Sequence, residues 1–363
     1  MATAIKAAWL LCVAWVGSPT MAQTGVDPSA PAPSWDTPVW DGARYTNPWR
    51  DPQDRGERAG PAYILRKAVR QVTGRQAIDG RPEVRRLDLE AMAAAPAAVA
   101  WLGHASMLVR IEGLWILVDP VLRPTIGPLP GLGPERITAA AIDIDALPAI
   151  DIVLISHDHF DHLDRPTLQA IAKRQATPPR VIGGKGLEDV VPAPLQDHLE
   201  TLSWWESRTI GPVTLTFTPA QHGSGRSIAG RNRSLWGGWF IEAAGQRLYM
   251  AGDTADAPRL FETIRARLGR PTFAAIPVGA YAPREWMRFE HLDPEEAMAA
   301  FERVGARAGV GIHWGTFNLG EETPAQTREA FTNAQARRGS PGFTLWSVGE
   351  TLALPPDPEG HPR

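Results

Sequence analysis

Apolar and polar positions over residues 84–352 fall into short blocks whose period switches between two and about three and a half. Residues 99–102, 107–111 and 115–118 are compact apolar runs, and Glu112-Gly113 between the last two is a turn dipeptide that predicts a hairpin. Residues 150–155 form another run, five of six positions apolar between polar loops, as expected of a strand buried on both faces. Further strands are predicted at 213–217, 239–242, 248–251, 273–276 and 310–312. Helical spacing marks 165–175, 258–268 and 294–304; Pro166 falls in the first turn of its helix, where a missing N–H costs nothing. Strands that alternate with helices define an α/β layered domain.

Upstream the pattern breaks. Residues 27–61 are rich in Pro, carry Trp35, Trp40 and Trp49, and show neither period. This segment reads as an extended arm lying across the body, because rings of that size find a surface rather than water. The first residues have the layout of an export leader: Lys6, an apolar stretch at 7–16 too short to span a membrane, and the small-residue site Thr20-Met21-Ala22. Cleavage is expected after Ala22, with export to a periplasm. The domain reading is therefore a leader at 1–22, a Pro/Trp-rich extension at 23–83, the main domain at 84–352 and a tail at 353–363.

Composition narrows the chemistry. Among 363 residues, 37 Lys and Arg face 40 Asp and Glu, and loss of Lys6 with the leader leaves 36 against 40. A chain so balanced has no electrostatic reason to bind nucleic acid. No apolar run is long enough for a membrane span. The single cysteine, Cys12, lies in the leader, so neither a disulfide framework nor a cysteine zinc site is expected. Any metal must be held by histidine and carboxylate.

Those residues are present in a pattern. Ser156-His157-Asp158-His159-Phe160-Asp161-His162 follows the predicted strand at 150–155, at the carboxyl end where α/β sheets form their sites. Such a loop can point two ring nitrogens at one metal and a carboxylate plus a third imidazole at a neighbour. His222, Asp253 and His313 each lie just past another predicted strand and can converge on the same rim. The set suits two ions about 3.5–4 Å apart, spanned by an Asp carboxylate.

These residues resemble the metallo-β-lactamase fold, a four-layer αββα sandwich with a binuclear site at one edge. More narrowly, the chain resembles the N-acylphosphatidylethanolamine-hydrolysing phospholipase D family. Matching segments include Asn47-Pro48-Trp49, Trp101-Leu102-Gly103-His104-Ala105, Trp204-Trp205-Glu206, Leu235-Trp236-Gly237-Gly238-Trp239, Gly279-Ala280-Tyr281 and His313-Trp314-Gly315-Thr316-Phe317. The resemblance implies that His157, His159 and His222 hold one metal, that Asp161, His162 and His313 hold the other, and that Asp253 bridges. Two zinc ions suit this donor mix best, with iron or manganese as alternatives.

The implied activity is that of a phosphodiesterase: hydroxide generated by the metal pair attacks phosphorus and expels an N-acylethanolamine, leaving phosphatidic acid. Asp161 and Asp253 are then catalytic through the metals, and His291 contacts phosphate or supplies a proton to the leaving group, with a structural cap as its alternative. Tyr281 and Trp205 join His291 on the substrate side. His104 and Asp119 are expected to orient ligand imidazoles, or else to be structural. Trp204, Trp205, Trp236, Trp239, Trp286 and Trp314 divide between an acyl groove and the core, with at least half expected in the core. A small or lipid substrate is the expected partner, met by peripheral contact with a membrane if it is a lipid.

Departures from the family pattern bear on the substrate. Phe160 stands where a Tyr is usual, Ala255-Asp256 replace Gly-Tyr, and Pro130 replaces a polar residue expected to help bind phosphate. The alternatives are hydrolysis of lactones, β-lactams or other esters on the same site, and a catalytically silent metal-binding module.

Overall fold

The computed structural model describes residues 37–48 and 78–355, apart from residues 130, 132, 228 and 258. The predicted leader, Trp35, Trp49 and Pro130 lie outside the described residues. The chain runs from a small antiparallel pair in the arm, β1 (Val39–Trp40) and β2 (Tyr45–Thr46), into two seven-stranded sheets. One sheet takes the order β16 (Thr351–Ala353), β3 (Ala97–Gly103), β4 (Ser106–Ile111), β5 (Leu114–Val118), β6 (Ile152–Leu154), β7 (Arg180–Gly184), β8 (Leu199–Leu202). The other takes β15 (Phe343–Thr344), β14 (Ala308–Ile312), β13 (Phe273–Pro277), β12 (Gln246–Met250), β11 (Gly238–Ala243), β10 (Val213–Thr218), β9 (Ser207–Ile210).

The predicted hairpin forms as expected. β4 and β5 pair antiparallel, and Glu112 (φ 49°) and Gly113 (φ 80°) both take the left-handed backbone that a two-residue type I′ turn needs.

Alternation along the strands builds the layers. Every residue of β3 is buried, but Val99 and Trp101 face Leu215, Phe217 and Trp239 of the second sheet, while Ala98, Ala100 and Leu102 face Met92, Leu168 and Ile171. The latter three belong to α1 (Leu89–Ala94) and α2 (Arg165–Arg174), which form one outer layer. β6 divides in the same way, Ile152 and Leu154 inward and Val153 outward, which is why its sequence reads as one apolar run. The other outer layer contributes Phe261 from α3 (Leu260–Leu268), Phe301 from α5 (Pro294–Val304) and Phe331 from α6 (Pro324–Arg338), with the short α4 (Arg284–Met287) between β13 and α5. The architecture is the expected αββα sandwich. Trp204, Trp236, Trp239 and Trp314 are buried in its core, so four of the six tryptophans considered for a groove are packing residues.

Helix ends are set by local chemistry. Asp164 caps α2 by accepting the Thr167 N–H at 3.1 Å, with Pro166 in the first turn. Asp293 and Glu296 form a capping box on α5, and Gly305 (φ 75°) ends it. Among the described residues no helix is long and apolar enough to cross a membrane.

Strands β5 to β8 run parallel, as do β12 to β15, so the carboxyl ends of both parallel sets carry the loops that form the site.

Candidate metal centre

The loop after β6 supplies His157, His159, Asp161 and His162; the segments after β10, β12 and β14 supply His222, Asp253 and His313; and His291 enters from the turn between α4 and α5. The structure brings all eight together. Donor atoms of His157, His159 and His222 lie within 4.8 Å of one another, and so do those of Asp161, His162 and His313, with His104 added. Asp253 stands between the sets: its Oδ2 is 3.1 Å from His313 Nε2, 3.2 Å from His162 Nε2 and 3.7 Å from His222 Nε2.

Hydrogen bonds behind the rings fix their direction. His162 Nδ1 donates to Asp119 Oδ2 at 2.8 Å, and His222 Nδ1 donates to the Glu290 carbonyl at 2.8 Å, which turns each Nε2 toward Asp253. Ser156 Oγ donates to Asp119 Oδ2 at 2.6 Å and accepts from His157 Nδ1 at 2.9 Å, so one buried carboxylate orients rings of both sets. His104 does more than expected. Its Nε2 lies 2.9 Å from Asp161 Oδ2; a carboxylate only accepts, so this nitrogen carries the proton and holds the predicted ligand directly.

The backbone is held in unusual conformations here. His104 (φ 54°), Asp119 (φ 42°) and His313 (φ 64°) are left-handed without being glycine, and strain of this kind persists only where surroundings impose it. Gly252 (φ 63°) has no alternative: a Cβ there would sit 2.7 Å from Ser156 Cβ and 2.8 Å from the Gly237 carbonyl.

Electrostatics separate the histidines into two groups. Burial, then the nearby His313, pulls His104 down to about 3, and burial with His222 takes His159 to about 3. Burial likewise holds His157 and His291 well below the usual imidazole range. For His313 burial acts in the same direction, but the Asp253 and Asp161 carboxylates outweigh it and raise the ring to about 9; the same pair raises His162 well above its ordinary value.

The donor set fits a metal. His157 Nε2 approaches His159 Nδ1 to 2.8 Å, and His159 Nδ1 lies 3.3 Å from His222 Nε2, so three imidazole nitrogens converge on one point where a shared cation could be held. His162 Nε2 and Asp253 Oδ1 are buried with no hydrogen-bond partner among the described residues.

Other candidates fall elsewhere. The Tyr281 hydroxyl meets Thr327 in α6, and burial, then the Glu322 carboxylate, push it up to about 12. Trp205 stacks under the Arg267 guanidinium of α3 at 4.4 Å. Tyr281 thus meets α6, and Trp205 meets α3 through its ring and β10 through its backbone N–H, which donates to the Phe217 carbonyl at 2.7 Å. His291 is where the sequence places it, nearly buried, with Nδ1 3.8 Å from Asp253 Oδ2 and its ring 5.3 Å from those of His222 and His313. Phe160 lies beneath the Arg226 guanidinium at 3.9 Å, and Arg226 Nη1 ties the ligand loop by donating to Asp158 and Leu163 carbonyls at 2.9 and 2.7 Å. Sequence reasoning assigned no role to Ser156, Glu290 or Arg226; only Ser156 carried a signal, through its place in the motif.

An αββα sandwich with histidines and aspartates gathered at the carboxyl ends of its parallel strands is the arrangement of the metallo-β-lactamase class. Residues 114–314 match the model of the Beta-lactamase superfamily domain, over half of the chain, and the protein belongs to that superfamily. It is 34% identical over 231 residues to N-acyl-phosphatidylethanolamine-hydrolyzing phospholipase D 1 of Caenorhabditis elegans, covering 61% of this chain and 64% of that one. It is also 34% identical over 240 residues to the mitochondrial N-acyl-phosphatidylethanolamine-hydrolyzing phospholipase D of Saccharomyces cerevisiae, covering 64% of this chain and 51% of that one. The matched stretch therefore spans between half and two thirds of these relatives' own lengths. Among solved structures, an isothiocyanate hydrolase from Delia radicum gut bacteria superposes with a TM-score of 0.55 at 19% identity, over 70% of this chain and 98% of that one, a likeness of fold.

Proposed function

We propose that the protein is a binuclear zinc phosphodiesterase of phospholipase D type that cleaves N-acylphosphatidylethanolamine-like lipids, consuming water and releasing phosphatidic acid and an N-acylethanolamine. The observation that carries the two-metal reading is the position of Asp253 Oδ2, 3.1 to 3.7 Å from imidazole nitrogens of both donor sets. The lipid is supported by the similarity to two phospholipases named for that substrate.

His157, His159 and His222 would hold one ion, Asp161, His162 and His313 the other, with Asp253 shared; bound there, the pair supplies Lewis acidity and an activated water. Ser156, Asp119 and His104 keep the donors aimed. His291, beside Asp253, is the group placed to bind phosphoryl oxygen or to pass a proton to the departing alkoxide. Export with cleavage after Ala22 belongs to the same proposal, since it puts the enzyme where it meets envelope lipid; N-terminal sequencing of secreted protein that began at Met1 would refute it.

One observation favours a second reading, hydrolysis of a lactone or other ester. Phe160 puts a plain ring, covered by Arg226, where the family carries a hydroxyl beside the metals. The purified protein, its metal content measured, is to be assayed against N-acylphosphatidylethanolamine, a long-chain lactone and bis(p-nitrophenyl) phosphate. Release of N-acylethanolamine is the expected result. An intact phospholipid with an opened lactone selects the second reading, and two bound ions with no turnover of any ester would leave a silent module.

A further inference from the structure

Asn47 is 175 residues from His222 in sequence, yet its side chain closes on the main chain of that residue. Nδ2 donates to the His222 carbonyl at 2.6 Å, and Oδ1 accepts the His222 N–H at 3.3 Å. A carboxamide that satisfies both backbone groups of one residue fixes its two peptide planes, as a neighbouring strand would.

Tyr45 in β2 makes a second tie of the same kind. Its N–H donates to the Asn232 carbonyl at 2.8 Å, and its carbonyl accepts Asn232 Nδ2 at 3.2 Å. Asn232 grips the far side of the His222 loop, accepting the Ser224 N–H on Oδ1 at 3.0 Å and donating its own N–H to the Ser224 carbonyl at 2.9 Å. Between these ties there is little space: a Cβ on Gly223 would stand 3.1 Å from Asn232 Oδ1. Glu290 aims the His222 ring, and the arm holds the backbone from which that ring projects.

We propose that the N-terminal arm is a working part of the metal centre: Asn47 is a positioning residue that sets where the His222 imidazole stands, coupling docking of the arm to metal binding at His157, His159 and His222. This rests on the metal-centre reading above. The coupling is reciprocal. An ion that binds the arm-docked form more tightly must by the same factor favour docking.

The test uses the full mature chain and Co2+ titrated against a competing chelator, with the visible ligand-field bands reporting geometry. Asn47→Ala removes both hydrogen bonds. Asn47→Asp keeps the size and the acceptor for the His222 N–H but sets an oxygen against the His222 carbonyl. Each variant is expected to weaken one of two ions by about 10- to 100-fold, the usual effect of losing a group behind a ligand, and to leave the other ion and the metal-free melting midpoint unchanged. In the wild type, Co2+ should slow amide exchange of a peptide covering residues 37–48. Wild-type affinity for both ions in both variants would overturn the proposal. So would loss of both ions together with a lowered metal-free midpoint, because Asn47 would then be holding the fold and not one ligand. A wild-type chain that takes up no metal overturns the metal-centre reading itself, and this proposal with it.

Discussion

At the scale of single residues, Asp119 is the group on which most of the site depends. Its two oxygens receive the Ser156 N–H, the Ser156 hydroxyl and His162 Nδ1, at 2.7, 2.6 and 2.8 Å, with the carboxylate buried. Asp119→Ala leaves those donors without an acceptor and frees the ring of His162. Metal affinity is expected to fall by about 10- to 100-fold, and the metal-free protein to lose about 1–3 kcal/mol by urea unfolding. Unaltered metal binding would show that His162 needs no support behind it. Asp253→Ala is expected to abolish turnover and lower metal content while secretion continues; unchanged turnover would refute the bridging role. The clustered histidines and aspartates were legible because each group follows an apolar run, and strand ends are where a sheet presents side chains to one rim. His104, Ser156, Glu290 and Asn47 were less so, since what defines them is a contact with a residue near in space and, for Asn47, Glu290 and His104, far in the chain.

Among the elements, the central strands other than β7 were readable and the peripheral ones were not; β7, Arg-Val-Ile-Gly-Gly, is interior and buried but its apolar run is too short to stand out. β3, β4, β5 and β6 lie between a facing sheet and a helix layer, so nearly all their residues are apolar. β8 and β9 sit at sheet edges with mostly part-exposed or exposed residues, Leu-Glu-Thr-Leu and Ser-Arg-Thr-Ile, and carry no such signal. α6 was missed because only Pro324, Thr327, Phe331 and Ala334 of its 15 residues are buried, too thin a stripe to stand out. Its cap was nonetheless written in the sequence: Thr323 and Gln326 form a capping box ahead of the helix, and Gly339 ends it. Thr323→Ala should lower stability by about 1 kcal/mol without touching activity; an equal loss of activity would mean that α6 reaches the site. Gly252→Ala makes the opposite demand on a loop. A left-handed backbone and contacts below 3 Å to Ser156 and Gly237 leave no room, so a loss of at least about 2 kcal/mol in urea unfolding is expected. A fully stable variant would mean that the loops of Asp253 and Ser156 separate easily.

For the whole molecule, the candidate metal centre is a joint between the two sheets. His157, His159, Asp161 and His162 come from the sheet containing β6, whereas His222, Asp253 and His313 come from the sheet containing β10, β12 and β14. Each proposed donor set draws from both. An ion held there closes the sandwich at its loop edge, while the apolar core joins the sheets behind it. With one cysteine among the 363 residues, no disulfide within them can take over that role. Carboxylates of each sheet face imidazoles of the other at this edge, Asp253 Oδ2 lying 3.2 Å from His162 Nε2 and Asp161 Oδ2 lying 3.3 Å from His313 Nε2. Because an ion that binds only the folded chain stabilises it by mass action, Zn2+ at a hundred times its dissociation constant contributes about 2.7 kcal/mol per site. For a domain of this size that corresponds to a rise in melting temperature of about 5–10 °C per site. Chelation is therefore expected to lower the midpoint by at least that much, and restored Zn2+ to recover it, as followed by scanning calorimetry. Amide exchange should then quicken first in the loops after β6, β10 and β12, with β3 and β4 unchanged. A midpoint indifferent to chelator would place the whole joint in the core and leave the histidine cluster with no part in holding the sheets together.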